Sequence, residues 1–196
     1  MSRKSKTQSF YDRIADVHNL MMNVNGYRHS VAKYLRSQRL NLDENSLVLD
    51  AGSGTGIVTL GFYAAGFHPR KTFAVDLSLN SLKIAREQFE RDGKTDAENI
   101  CPVQANVLQL PFADETFDLI VSCGVLEYVS VEEGLREFAR VLKKGANLVL
   151  IPVRLSLVGS VLEVLYKFKT HSIKETERIA RQYFEIADVY KFPFTE

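Results

Sequence analysis

Short apolar runs alternate with amphipathic stretches along most of the chain. Apolar residues three and four positions apart predict helices at residues 55–65, 79–91 and 131–144, with Gly145 ending the last of them. Five apolar runs predict strands, at residues 47–50, 72–76, 100–105, 117–124 and 147–153. A repeated strand–helix order is typical of a doubly wound, mostly parallel sheet, so the sequence predicts a three-layer α/β/α fold.

Both ends of the chain carry further predicted elements. Residues 9–36 have a helical amphipathic pattern that Asn25-Gly26 interrupts, which predicts two helices. Near the other end, Ser172 has capping-box spacing for a following helix, and residues 184–191 predict a sixth strand. The strongly apolar residues 155–168 are interpreted as a buried helix, as the wall of an acceptor pocket, or as a surface that meets lipid.

A glycine-rich turn follows the first predicted strand. Glycines occupy every second position from Gly52 to Gly56, and they allow positive φ angles and a close approach of backbone N–H groups to a ligand. A dinucleotide fingerprint would need a small residue at position 57, where the chain has Ile57. Asp50 ends the strand and places an anion at the same point. The pattern therefore favours a cationic ligand over a nicotinamide dinucleotide.

The string Asp50-Ala51-Gly52-Ser53-Gly54-Thr55-Gly56 resembles motif I of the class I S-adenosylmethionine-dependent methyltransferases. The same resemblance is carried by residues 10–15, 114–118 and 125–129, and it covers roughly residues 10–153. Within the family, the chain resembles the small-molecule branch that includes the ubiquinone/menaquinone-biosynthesis enzymes.

The resemblance implies a Rossmann-like methyltransferase domain that binds S-adenosylmethionine and releases S-adenosylhomocysteine. It also implies that the N-terminal helices form a lid over the cofactor. In that family a seventh, antiparallel strand completes the sheet. Because only residues 192–196 follow the sixth predicted strand, the seventh is predicted to be missing or vestigial.

The residues assigned to the cofactor lie at strand ends or in the turn. Asp76 ends the second strand, where a carboxylate can accept hydrogen bonds from a ribose diol. Where the family often has an acidic residue that meets adenine, this chain has Asn106, whose amide carbonyl can still accept from the exocyclic amine. Arg28 is a further candidate on the lid. The full set is Tyr11, Asp50, Ala51, Gly52, Ser53, Gly54, Gly56, Asp76, Leu77, Asn106, Val107, Ser122 and Cys123.

The proposed chemistry is methyl transfer to a small-molecule acceptor by in-line displacement, which mainly requires alignment and the exclusion of water. A base helps where the acceptor is a hydroxyl or ammonium group. The catalytic candidates are Glu127 and Tyr128 after the fourth strand and His18 on the lid, whereas His171 has no predicted position. Many family members carry a histidine where Tyr128 stands. An alternative is a cofactor-binding regulatory or partner protein without activity. It is motivated by Tyr128 in place of the histidine, by Asn106 in place of the acidic residue, and by the short tail.

Composition narrows the remaining choices. A length of 196 residues predicts one domain, with a lid at 1–40, a cofactor core at 47–153 and an acceptor side at 154–196. A net charge of +1 predicts no attraction to nucleic acid. No membrane-spanning run and no metal-ligand spacing is found, and the two cysteines, Cys101 and Cys123, are interpreted as buried thiols of a cytoplasmic protein. The expected partner is a small-molecule acceptor, with an apolar one among the options. Its identity and the choice of monomer or homodimer stay open.

Overall fold

The structure is a computed structural model that describes residues 26–93, 95–152 and 171–189. Within these ranges the chain forms five strands and five α-helices. The strands are β1 (Leu47–Ala51), β2 (Lys71–Asp76), β3 (Ile100–Gln104), β4 (Phe117–Cys123) and β5 (Leu142–Ile151). The helices are α1 (Tyr27–Ser37), α2 (Ile57–Ala64), α3 (Leu79–Arg91), α4 (Val131–Val141) and α5 (Ile173–Ala180).

The five strands form one parallel sheet in the order β3-β2-β1-β4-β5. The order reverses between β1 and β4, and a crevice forms at the carboxyl ends of strands where such a reversal occurs. Asp50 lies at that point, with Ala74 and Val121 as its neighbours across the sheet. Pro102 lies in the edge strand β3, where a residue without a backbone N–H is tolerated. The predicted α/β architecture is confirmed.

Two hydrophobic layers cover the two faces of the sheet. Leu49 and Ile120 belong to a cluster with Leu135 of α4 and with residues of α5. Val48 and Leu119, which directly precede Leu49 and Ile120 in their strands, belong to a second cluster with residues of α1, α2 and α3. Successive strand residues point to opposite faces, so both faces of β1 and β4 are buried. The described residues therefore form the three predicted layers.

Serine caps fix the starts of three helices. The side chains of Ser78, Ser130 and Ser172 each accept a hydrogen bond from the backbone N–H three residues further on. Such a cap satisfies one of the free N–H groups of the first turn. The predicted starts at Ser78 and Ser172 are confirmed. Helix α1 begins after Gly26, which has a φ of 63°, and the predicted helix before it lies outside the described residues.

Two predicted features are wrong. Gly145 does not end α4, because the backbone becomes extended at Leu142 and β5 starts there, so that Gly145 lies inside the strand. The predicted sixth strand is not found in residues 184–189. There the chain turns back after α5, with Phe184 N–H donating to the Ala180 carbonyl, and packs its apolar side chains on the core without strand pairing. Residues 155–168 and 190–196 lie outside the described ranges.

Arg140 of α4 holds the loop that joins β3 to β4. Its guanidinium donates to the carbonyls of Leu110 and Phe112 at 3.1 and 2.9 Å, and to the carboxylates of Asp114 and Glu137, each at 2.7 Å. The loop starts next to the crevice with Asn106. Arg140, near the C-terminal end of α4, therefore ties the later part of this loop to α4 at the edge of the sheet where β4 and β5 begin.

Replacing Arg140 with methionine is expected to lower the free energy of unfolding by about 2 kcal/mol, because two backbone carbonyls and Glu137 lose their charged donor. Urea denaturation measures the change. Arg86→Met is the matched control. Arg86 pairs with Glu90 on the surface of α3, both side chains being mostly exposed, and its loss is expected to stay within about 0.5 kcal/mol. Equal losses in the two variants would contradict this role of Arg140.

Candidate functional site

The glycine turn between β1 and α2 is tied to the neighbouring strand. The N–H groups of Gly52 and Ser53 both donate to the Val75 carbonyl at 2.8 Å, and Gly56 N–H donates to the Ser53 carbonyl at 2.8 Å. The turn is thus held against the end of β2 by backbone hydrogen bonds. The turn follows β1, as predicted, and the structure places it where the strand order reverses.

The three glycines of the turn are needed for different reasons. All have positive φ, at 78°, 53° and 87° for Gly52, Gly54 and Gly56. A Cβ on Gly52 would overlap Val125, and one on Gly56 would lie 2.5 Å from the Phe89 ring. A Cβ on Gly54 would meet no atom within 4 Å. Gly52 and Gly56 are therefore packing positions, whereas Gly54 presents bare backbone to open space.

Asp50 is buried at the end of β1, with only 2% of its surface exposed. The Thr59 hydroxyl of α2 donates to its Oδ2 at 2.5 Å, and Oδ1 has no hydrogen-bond partner among the described residues. Burial raises the pKa of Asp50 to about 7; the Thr59 hydrogen bond opposes this rise, and the nearby Asp76 adds to it. A buried carboxylate with a bare oxygen is costly unless a cation or donor meets it.

Asp76 is held in place by the turn. Its Oδ2 accepts from Gly54 N–H and its Oδ1 from Ser78 N–H, both at 2.8 Å. These two bonds hold the carboxylate in place, and its oxygens are acceptors of the kind that a ribose diol needs. The electrostatic effect of Asp76 on Asp50 shows that the two predicted carboxylates share one region. Ser53, 6% exposed, adds a hydroxyl that has no partner among the described residues.

The predicted adenine-side residues differ in how much surface they present. Leu77 is 38% exposed, next to Asp76. Val107 is only 7% exposed and packs in the core. The Asn106 side-chain oxygen accepts from Leu108 N–H at 3.0 Å, so one of its two lone pairs is used within its own loop. Leu77 and Asn106 are therefore exposed enough to present side-chain surface to a ligand, whereas Val107 is not.

Two predicted contacts at the β1 and β4 ends are internal. Ser122 is fully buried, and its hydroxyl donates to the Ala51 carbonyl at 3.0 Å. Ala51 is fully buried as well. The Ser122 hydroxyl thus links β4 to the backbone of β1, and neither side chain has exposed surface. Arg28, a candidate on the lid, is instead paired with Asp92 at 2.7 Å.

Cys123 lies at the end of β4 in contact with Tyr27. The Tyr27 hydroxyl is 2.8 Å from the Cys123 sulfur. Burial raises the pKa of the Cys123 thiol to about 12, with the Tyr27 hydrogen bond opposing and the charges of Asp50 and Glu127 adding to the rise. Burial also raises the pKa of Tyr27. Both groups are protonated at neutral pH, so Cys123 does not act as a thiolate nucleophile.

The catalytic candidates after β4 have opposite exposures. Glu127 is 6% exposed and Tyr128 is 38% exposed. The Glu127 charge acts on both Cys123 and Tyr27, which puts its carboxyl near the Asp50 side of the crevice. His18 and Tyr11 lie outside the described residues, so their predicted roles stay predictions.

Sequence reasoning missed Thr59, Tyr27 and His171. Thr59 lies in the middle of an apolar helix, and only the fold brings it to Asp50. Tyr27 follows the Asn25-Gly26 break, which was the only signal near it. His171 lines a small cavity together with Glu127. In the described part of the chain, no group of three or more His, Cys, Asp or Glu residues is arranged to hold a metal ion.

Comparison with known proteins identifies the family. Residues 49–150 match the family described as "Methyltransferase domain". The ubiquinone/menaquinone biosynthesis C-methyltransferase UbiE of Salmonella paratyphi B is 33% identical over 147 residues, which is 74% of this chain and 56% of that protein. The chain thus spans little more than half the length of this relative.

Two solved structures share the fold. The methyltransferase bound to the Trm112 activator of Haloferax volcanii superposes with a TM-score of 0.73 at 21% identity, over 93% of this chain and 77% of that chain. Phosphoethanolamine N-methyltransferase 2 of Haemonchus contortus, solved with S-adenosylmethionine, gives a TM-score of 0.70 at 18% identity, over 92% of this chain and 44% of that chain. The matched family residues 49–150 make up more than half of the 196 residues and include the glycine turn, Asp50 and Asp76. The chain therefore belongs to the methyltransferase domain family, and the resemblance to the class I S-adenosylmethionine-dependent methyltransferases is confirmed.

Proposed function

We propose that this chain is an S-adenosylmethionine-dependent methyltransferase that acts on a small molecule. One observation carries the proposal: the bare, buried Oδ1 of Asp50 lies beside a turn whose Gly54 backbone faces open space. A buried anion favours a cationic partner. S-adenosylmethionine carries both a sulfonium and an ammonium group, so the residues present fit it.

Each residue of the turn has a role in this proposal. Asp50 binds the cationic amino acid end, the Asp76 carboxylate accepts from the ribose hydroxyls, and Gly54 lets the ligand approach the backbone closely. Leu77 covers the apolar edge of the nucleoside. When bound, the cofactor supplies an electrophilic methyl group on a positively charged sulfur and leaves as S-adenosylhomocysteine.

Glu127 and Tyr128 serve the acceptor in this proposal. Glu127 takes the proton from an acceptor hydroxyl or ammonium, and Tyr128 orients the acceptor by a hydrogen bond. His18 and Tyr11 remain predicted contacts from the lid.

Calorimetric titration with S-adenosylmethionine is the first test, with NAD⁺ as the control ligand. We expect binding of the former and none of the latter. Incubation with reduced 1,4-naphthoquinone, catechol and phosphoethanolamine, followed by measurement of S-adenosylhomocysteine, then tests turnover. A folded protein that fails to bind the cofactor would remove the proposal. Tight binding without turnover across a wider acceptor set would favour the cofactor-binding regulatory role.

We also propose that the protein works in the cytoplasm. Its two cysteines, Cys101 and Cys123, are free thiols, which suits a reducing compartment. Within the described ranges, no helix has the length and apolar character needed to cross a bilayer.

A further inference from the structure

A small cavity joins Glu127 to the C-terminal helix. Its volume is about 10 Å³, and it lies between the loop after β4, the end of β5 and the start of α5. The polar side chains that line it are those of Glu127, His171 and Thr176. A space of ~10 to 15 Å³ is enough for one water molecule. Polar side chains on opposite sides of the cavity can therefore be bridged by a single water.

His171 has a ring nitrogen that needs a partner. Its side chain is 17% exposed, and its Nδ1 is buried with no hydrogen-bond partner among the described residues. The carboxylate of Glu175 lies 4.0 Å from that nitrogen, which is beyond hydrogen-bond distance. Buried polar atoms are nearly always hydrogen-bonded. The other carboxylate that lines the same cavity is that of Glu127, itself 6% exposed.

The position of His171 is fixed by its neighbours in the chain. Ser172 caps α5 and accepts from Glu175 N–H at 3.1 Å, and α5 packs through Ile179 and Ala180 in the core cluster that includes α4. His171 directly precedes this cap. The imidazole is therefore attached to a helix that is itself held against the sheet.

We propose that His171 is a positioning residue for Glu127, to which its Nδ1–H donates through one water in the cavity. The inference rests on the proposed function. As the acceptor heteroatom bonds to the methyl carbon, the carbon–sulfur bond breaks with its electron pair going to sulfur, and the acceptor proton passes to the Glu127 carboxylate. The hydrogen bond from His171 keeps that carboxylate oriented toward the acceptor. A catalytic base that is oriented by a hydrogen bond from a further side chain is a recurrent arrangement in active sites.

Nitrogen-15 NMR of the His171 ring tests the contact without any acceptor. We expect Glu127→Gln to shift the His171 ring nitrogen resonances by several ppm while leaving those of His68 in place. His68 is the control because it is exposed and pairs with Asp96 at 3.3 Å on the surface. Unmoved His171 resonances in a folded Glu127→Gln protein would overturn the inference, whether or not methyl transfer is detected.

The kinetic arm compares His171→Leu with His171→Asn, whose amide keeps a donor near the Nδ1 position. With reduced 1,4-naphthoquinone or another turned-over member of the acceptor set, we expect His171→Leu to lower kcat about tenfold or more. His171→Asn should stay within about threefold of the wild type, and the cofactor Kd should be unchanged in both. Wild-type kcat in His171→Leu, or an equal loss in both variants, would overturn the positioning role. Absence of turnover in the wild type and in both variants would count against the proposed function alone. The contact between His171 and Glu127 would still be decided by the NMR result.

Discussion

Asp50→Asn is expected to weaken S-adenosylmethionine binding about 30-fold and to stabilise the ligand-free protein at the same time. The first effect follows because hydrogen bonds to a charged group contribute about 1.5–3 kcal/mol, and the amide lacks the charge that meets a cation. The second follows because a buried carboxylate with a bare oxygen, 2% exposed, is replaced by a neutral group. The Asn carbonyl can still accept from Thr59. Calorimetry and thermal denaturation at pH 8 measure the two effects.

The raised pKa of Asp50 predicts that both the cofactor affinity and the stability of the protein depend on pH. The pKa of Asp50 is raised from 3.8 to about 7, so the carboxyl is mostly protonated below pH 7 in the ligand-free protein. A cationic ligand binds the ionised form, and affinity should therefore fall by about tenfold for each pH unit below 7 and level off above it.

For stability, the folded state binds more protons at this group than the unfolded state between about pH 4 and 7. The contribution of Asp50 to stability therefore falls as pH rises through that window. Asp50→Asn should match the wild type in Tm near pH 4 and exceed it at pH 8.

Asp96→Asn is the control, because Asp96 is 57% exposed in its pair with His68. It should leave both the affinity and the pH profiles unchanged. A pH-independent affinity in the wild type, or no gain in Tm for Asp50→Asn at pH 8, would contradict the assignment of Asp50 as the buried anion of the site.

Gly54→Ala is expected to abolish detectable cofactor binding in a protein that still folds. The φ of 53° makes alanine there cost about 1–2 kcal/mol, but its methyl group would meet no protein atom within 4 Å. It would instead occupy the space where the ligand approaches the backbone. Gly52→Ala should behave differently and lose several kcal/mol of stability (~3), because its Cβ would overlap Val125.

Gly66→Ala is the matched control for the backbone strain that Gly54→Ala introduces. Gly66 has a φ of 95° and, like Gly54, nothing within 4 Å of an added Cβ, but it follows α2 at the far end from the crevice. It should show a comparable loss of stability with normal binding. Chemical denaturation and calorimetry on all three variants make the comparison. Normal cofactor affinity in Gly54→Ala would show that the open face of the turn is not the binding face.

The sequence predicted what depends on local pattern and on parallel strand ends. Asp50 and Asp76 close two strands that lie side by side, and parallel strands end at the same edge, so their proximity could be anticipated. Gly145 was misassigned because the amphipathic pattern of α4 runs on into Leu142, which pairs with Phe117 in the sheet. The helix ends where pairing begins, and pairing is not visible in a local window.

The remaining site residues depend on contacts between distant parts of the chain. Thr59 reaches Asp50 only through the turn geometry, and His171 reaches the Glu127 cavity only through the docking of α5. Residues 184–189 are apolar enough for a strand, yet they pack on the core as a loop. In each case tertiary packing, which no periodicity encodes, decided the outcome.

A crystal structure of the full chain with S-adenosylhomocysteine tests the central claim most directly. We expect the ribose hydroxyls within hydrogen-bond distance of the Asp76 carboxylate, the ligand ammonium group at Asp50, and the nucleoside against the Gly54 backbone. A ligand bound elsewhere, or one whose ribose and ammonium groups touch neither carboxylate, would contradict it.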